Sequence, residues 1–224
     1  MAVVGDGGAV SVQRQKRMPR AERERQMLDA AVQIFGRLGY RAASMDEIAE
    51  LAGVSKPLVY LYLGSKDDLF LACIRREAAN LVTALRTGVD PEDAAERQLW
   101  QGLLTFFTHT GAHPDGWALL HDRARTRGEL FASEAAETRR EIIGFVTELV
   151  MAAAREGHGD LELGDREVDG LALALVGATE SLADWACRDA TVSARDAAVT
   201  LMNVAWSGLG NLMSGHRWTP PSTG

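Results

Sequence analysis

Apolar residues recur at three- and four-residue spacings along nearly the whole chain, and no two-residue alternation persists between turn signals. That pattern excludes a sheet-built fold, because a half-buried strand needs period two and a helix period 3.6. The chain must bury its stripes helix against helix, in an all-α fold of about nine helices without internal repeats. Its 224 residues suffice for a core without disulfide or metal staples.

The breakers set the helices. A first helix over residues 19–38 carries the face Met27, Leu28, Ala31, Ile34, Phe35 and Leu38, and Gly39 stops it. Ser44 and Glu47 form a capping box for a short helix over 45–52, in which the hydroxyl accepts from the Glu47 amide. Gly53 ends that helix. Ser55 opens a third, with Pro57 in its first turn, and Gly64 breaks it. Ser65 caps a fourth, with Asp67 and Asp68 at its positive end. Further helices are predicted over 90–110 (opened by Asp90-Pro91-Glu92-Asp93), 114–125, 129–156, 165–188 and 193–213.

A capped short helix, the turn Gly53-Val54-Ser55 and a second short helix together make a helix-turn-helix. Small Ala49 lets the two helices approach, while Ile48, Val54 and Val59 seal them onto the first helix. The second helix is short enough to present its early side chains to a major groove ~12 Å wide.

The stretch from Gly53-Val54-Ser55 through Leu58, Tyr60, Tyr62, Ser65-Lys66 and Leu69-Phe70 resembles the recognition-helix signature of the TetR family of transcriptional repressors. Upstream, Ile34-Phe35, Gly39-Tyr40 and Ser44-Met45-Asp46-Glu47-Ile48-Ala49 match as well, so the likeness spans residues 22–71. It implies a three-helix DNA-binding domain over 19–66 and a helical effector-binding and dimerisation domain over 67–215. A flexible basic leader over 1–18 and a tail over 216–224 flank them. It implies that Ser44 contacts phosphate through its helix N-terminus, and that Ser55, Lys56, Pro57, Leu58, Tyr60 and Leu61 lie on the reading helix. Tyr60, Tyr62 and Lys66 would hold the DNA backbone. Leu58 and Leu61 are apolar where some relatives carry base-reading polar groups, so readout would lean on thymine methyls. The partners implied are a palindromic double-stranded operator, a second copy of the chain and a small-molecule effector.

Charge fits this division. The net charge of −7 by itself points away from DNA, yet residues 1–70 hold ten bases and nine acids, and the rest hold 14 bases and 22 acids. Residues 11–25 carry six bases against two acids, and Arg14, Lys16, Arg17 and Arg20 are candidates to follow the DNA backbone.

All five tryptophans lie within residues 71–224. Trp100, Phe107, Trp117 and Trp185, with Phe106, Phe131 and Phe145, are candidates to line an apolar effector cavity, and His121 and Glu180 are candidate polar anchors. An apolar or aromatic effector is expected. Gly170, Ala174, Gly177, Ala178 and Ser181 on one helix, with Ala198, Ala205 and Gly208 on the last, are the candidate dimer face, since small residues allow close helix approach.

His109 and His113 are four apart, but Pro114 ends their helix, so no metal and no cofactor is expected. No nucleophile elbow, phosphate loop, dinucleotide fingerprint or H-E-x-x-H motif is present, so no enzyme is expected. Two cysteines 114 residues apart and no long apolar run point to a cytoplasmic chain with no membrane partner.

Overall fold

The computed structural model describes residues 18–123, 129–156, 164–213 and 216. These form α1 (Arg20–Ala42), α2 (Met45–Leu51), α3 (Lys56–Leu63), α4 (Lys66–Gly88), α5 (Ala95–Ala112), α6 (Pro114–Ala118) and a π-helical turn (Leu119–Arg123). Then come α7 (Glu129–Glu156), α8 (Asp165–Arg188) and α9 (Ala194–Met213). No strand occurs among the described residues.

Glycine and serine act as the sequence predicts at the first junctions. Gly39 sits at φ 76°, ψ 164°, so the helical run of α1 breaks there and only one more turn follows. Ser44 Oγ accepts from the Asp46 amide at 3.1 Å, one residue earlier than expected, and the Glu47 carboxylate accepts from the Ser44 amide at 3.1 Å. Ser65 and Asp68 repeat the device on α4, and these bonds, the hydroxyl's first, hold the Asp68 carboxyl below its ordinary value. The same pairing joins Ser193 to Asp196 at the start of α9.

Two boundaries differ from expectation. Asp90-Pro91-Glu92-Asp93 forms a turn and not the first turn of α5. Asp90 Oδ1 accepts from the Glu92 amide at 3.0 Å, and the Gln98 amide donates to the carbonyls of Pro91 (3.1 Å) and Asp93 (2.6 Å). That bonding uses the turn's polar groups locally, so the helix starts at Ala95. The segment after Pro114 is α-helical only to Ala118 and then widens into the π-helical turn.

Two main apolar clusters organise the chain. The first joins α1–α3 to the start of α4, with Phe35 and Phe70 fully buried at 4.9 Å edge to face and Tyr40 against Phe70 at 5.1 Å. Each such pair adds about 1 kcal/mol beyond the area it buries. The expected boundary at residues 66 and 67 falls inside this cluster, which takes in Leu69, Phe70, Cys73 and Ile74 of α4 and Leu119 of the π-turn. The second cluster lies among α4, α5, α8 and α9 and includes Phe106, Phe107, Trp117 and Leu201. The π-turn and α6 thus feed both clusters, with Leu119 in one and Trp117 in the other. Cys73 is buried and Cys187 exposed, and both are free thiols.

Candidate functional site

The helix-turn-helix is built by α2 and α3. Gly53 takes φ 63°, a β-carbon there would meet nothing, and the Val54 amide donates back to Ala49 at 3.0 Å. Of α3, only Val59 is buried. It anchors the helix and leaves Ser55, Pro57, Tyr60 and Leu61 turned out, with Leu58 half-buried. Leu61 is 76% exposed, a large apolar side chain held in water by a helix that buries little else. A leucine so placed is able to meet an apolar base edge such as a thymine methyl.

The cationic candidates are already engaged. Lys56 Nζ lies 2.9 Å from Asp46 Oδ2 across the α2–α3 turn, which raises the Lys56 pKa. Both groups are well exposed, so the pair contributes little to stability and a phosphate can replace Asp46. Arg20, the first residue of α1, sits with its guanidinium 5.1 Å over the Tyr62 ring. The fold therefore brings together two residues 42 apart in sequence, both of them candidates for the DNA backbone. Lys66 Nζ donates to the Ala43 carbonyl at 2.6 Å and lies 4.6 Å over the Tyr40 ring, whose hydroxyl donates to Asp67. Lys66 is thus a clamp between α4 and the α1–α2 link, next to Ser44. Arg14, Lys16 and Arg17 lie outside the described residues.

A second site opens in the other domain. An apolar cavity of about 60 Å³ lies among α4, α5, α7 and α8, with Trp117 of α6 in its wall. Its lining includes Leu103, Phe106, Phe145, Val146, Leu175 and Glu180. Of the expected wall residues, Trp117 and Glu180 line it, as do Phe106 and Phe145. Four do not. Phe107, one residue round the helix from Phe106, is buried in the core. Trp100 packs toward α9, with Arg195 5.4 Å over its ring. Trp185 is 46% exposed on α8. His121 is absent from the lining, stacks on Trp117 at 4.8 Å and faces Asp184 at 3.1 Å. The side chain of Phe131 lies outside the described residues.

Sequence reasoning missed Arg139, whose guanidinium clasps Glu180 through Nε at 2.9 Å and a terminal nitrogen at 3.3 Å. The two are 41 residues apart on different helices, so no local spacing signals the pair. It also missed Gly36 and Gly116. A β-carbon on Gly116 would stand 2.6 Å from a Glu77 carboxylate oxygen, and Gly36 is buried against the start of α6. These glycines let α6 lie between α1 and α4.

Among the expected dimer residues, Gly170, Ala174, Ala178, Ser181 and Gly208 are exposed, and Gly177 and Ala205 are partly so. Ala198 is a correction: it is fully buried within the chain's own core, beside Ala197 and Leu201, where α9 packs on α5. A β-carbon on Gly170, Gly177 or Gly208 would meet nothing, so none of them serves close approach within the chain. Leu173, Val199 and Val204 add exposed apolar surface on the same two helices.

His109 and His113 stand with ring centroids 4.8 Å apart, and no third ligand joins them among the described residues. No described helix is long and apolar enough to cross a membrane.

A reading helix on a small three-helix head, joined to a helical body that encloses an apolar cavity, defines a DNA-binding regulator of transcription with a helix-turn-helix. Comparison with known proteins fixes its family. Residues 27–73 match the model of the bacterial regulatory proteins of the tetR family. A TetR-like transcriptional regulator from Rhodococcus sp. RHA1 is 36% identical, covers 87% of this chain and 99% of its own, and superposes with a TM-score of 0.74. The transcriptional activator FasR of Mycolicibacterium smegmatis is 29% identical over 200 residues, 89% of this chain and 88% of its own. The structure of the regulator FadR from Bacillus subtilis in complex with stearoyl-CoA shares the fold at 18% identity and a TM-score of 0.67, covering 85% of this chain and 98% of its own. The chain belongs to the TetR family of transcriptional regulators.

Proposed function

We propose that this chain is a ligand-responsive repressor that binds a palindromic operator as a homodimer and leaves it when an apolar-chained effector enters the cavity. One observation carries the reading: Trp117 of α6 stands in the wall of an apolar cavity, and α6 is packed directly on α1 of the DNA-reading head. At about 60 Å³ the cavity has room for a few water molecules only. A chain-like ligand must therefore push its lining helices apart, and α6 offers a route for that motion to the head. FadR of Bacillus subtilis, solved with stearoyl-CoA, motivates long-chain acyl-CoA as the first compound to try.

On the DNA side, Ser55, Pro57, Leu58, Tyr60 and Leu61 face the bases. Ser44, Lys56, Tyr62, Lys66 and Arg20 hold phosphates, joined by Arg17 of the leader. Two copies meet through the exposed small and apolar residues of α8 and α9, whose two-fold axis sets half-sites about one helical turn (~34–36 Å) or more apart.

A band shift on the DNA upstream of the chain's own gene tests this. Sequence-selective, salt-sensitive binding that long-chain acyl-CoA abolishes supports it. Absence of binding at low salt sinks the DNA assignment, and binding that no acyl compound disturbs sinks the effector assignment. The name of FasR favours one second reading, activation. In-vitro transcription from the same promoter separates the two, since a repressor lowers and an activator raises the transcript yield.

A further inference from the structure

We propose that the indole N–H of Trp117 is the donor by which the cavity recognises its effector, and that the effector carries a neutral carbonyl of the ester or thioester class beside its apolar chain. This deepens the reading of the cavity as the effector site and rests on it.

Trp117 is 7% exposed, and its Nε1 is buried without a hydrogen-bond partner. An indole nitrogen only donates, so it needs an acceptor brought to it. The ring cannot turn to find one, because Phe106 meets it edge to face at 5.4 Å and His121 stacks on it at 4.8 Å. Buried donors left unpaired are disfavoured, so a ligand oxygen that satisfies this one gains affinity that an alkane cannot.

The other polar groups of the lining are already engaged. Thr179 Oγ1 donates to the Leu175 carbonyl at 2.7 Å, and the Glu180 carboxylate is held by Arg139. Glu180 is also the ionic group of the described lining, and its negative charge opposes a carboxylate head. A neutral acceptor meets neither objection. Trp117 further lines a second space of about 10 Å³, shared with Glu77, His109 and His113, which has room for about one water molecule. Because Trp117 belongs to α6, a bond made there acts on the helix that packs against α1.

The test is a cycle between Trp117→Phe, which deletes the N–H and keeps a ring, and two probes, methyl decanoate and undecane. Affinities are read from the thermal upshift of the full-length chain. The expected result is an about ten-fold loss for the ester and an unchanged affinity for the alkane. Equal losses for both probes, or none for either, overturn the proposal. Nitrogen-15 spectra of the wild-type chain keep it falsifiable should the variant fold poorly. One indole resonance moves with the ester and stays with the alkane, whereas ester binding without any indole shift overturns the proposal. Failure of both probes to bind the wild type is a separate outcome, which removes the effector reading and this proposal with it.

Discussion

A β-carbon on Gly36 of α1 would stand 2.5 Å from the carbonyl oxygen of Asp115 and 2.8 Å from its Cα. Both are backbone atoms, so no rotamer change can clear the space. Gly36→Ala is expected to cost about 2 kcal/mol as overpacking and to lower the melting temperature by roughly 4–8 °C. Gly144→Ala, on an exposed face where the new methyl meets nothing, stabilises by about 0.5–1 kcal/mol. Calorimetry of the two variants checks both signs, and a neutral Gly36→Ala would show that α1 and α6 can separate freely.

Leu61 and Lys66 separate reading from holding. Leu61→Ala leaves the melting temperature unchanged, because the side chain is 76% exposed, and shifts the preferred base under it. Lys66→Ala removes the bond to the Ala43 carbonyl, so it loses about 1–2 kcal/mol of stability and weakens binding to specific and random DNA alike. Selection from random DNA, with a melting curve for each variant, reads all four outcomes.

Glu180 is the less exposed member of its ion pair, at 15% against 33% for Arg139. Removing the cation strands a carboxylate beside an apolar cavity. Arg139→Met is expected to destabilise by about 1–2 kcal/mol after discounting for solvent, and Arg139→Met/Glu180→Gln to recover most of it. Chemical denaturation of the single and double variants measures the difference.

Burial, aided by the neighbouring His113, holds the His109 imidazole below its ordinary value, while Glu77 opposes the shift. The unfolded chain therefore takes up a proton first as pH falls past about 6.5, and the folded form is left with fewer protons. Stability drops as pH falls through that window and levels off below the depressed folded value. His109→Gln should flatten this part of a stability-against-pH curve, and an unchanged slope would assign it to other groups.

Val204 is 70% exposed on α9. With α8 and α9 as the pairing surface, Val204→Glu halves the sedimenting mass without changing the helical signal. A chain that stays dimeric with this substitution pairs through another face.

Helix existence was readable because period 3.6 and the Gly and Ser punctuation report local physics. Ser65 with Asp68, Gly53 and Gly64 each act within a few residues of themselves. The helix-turn-helix was equally legible, since one short stretch carries it. The cavity was not. Adjacent Phe106 and Phe107 are equivalent in sequence, and only the rotation of α5 against α7 and α8 puts the first in the wall and the second in the core. Arg139 and Glu180 meet across two long helices, and Ala198 resembles Ala178 until α5 is seen to cover it. Aromatic composition indicates that a cavity can form, whereas helix rotation decides which rings face it.

Leu119, fully buried in the cluster of the DNA-reading head, arrives there from a segment more than forty residues downstream of the last residue of α4 in that cluster. The head is accordingly discontinuous as a unit of inheritance. A chimaera spliced at residues 66 and 67 would hand a foreign head the host's Leu119, and the new pocket would have to accept its shape. Exchange of operator specificity between relatives should succeed when residues 114–123 travel with the head, and insertions should be tolerated better elsewhere than in those ten positions.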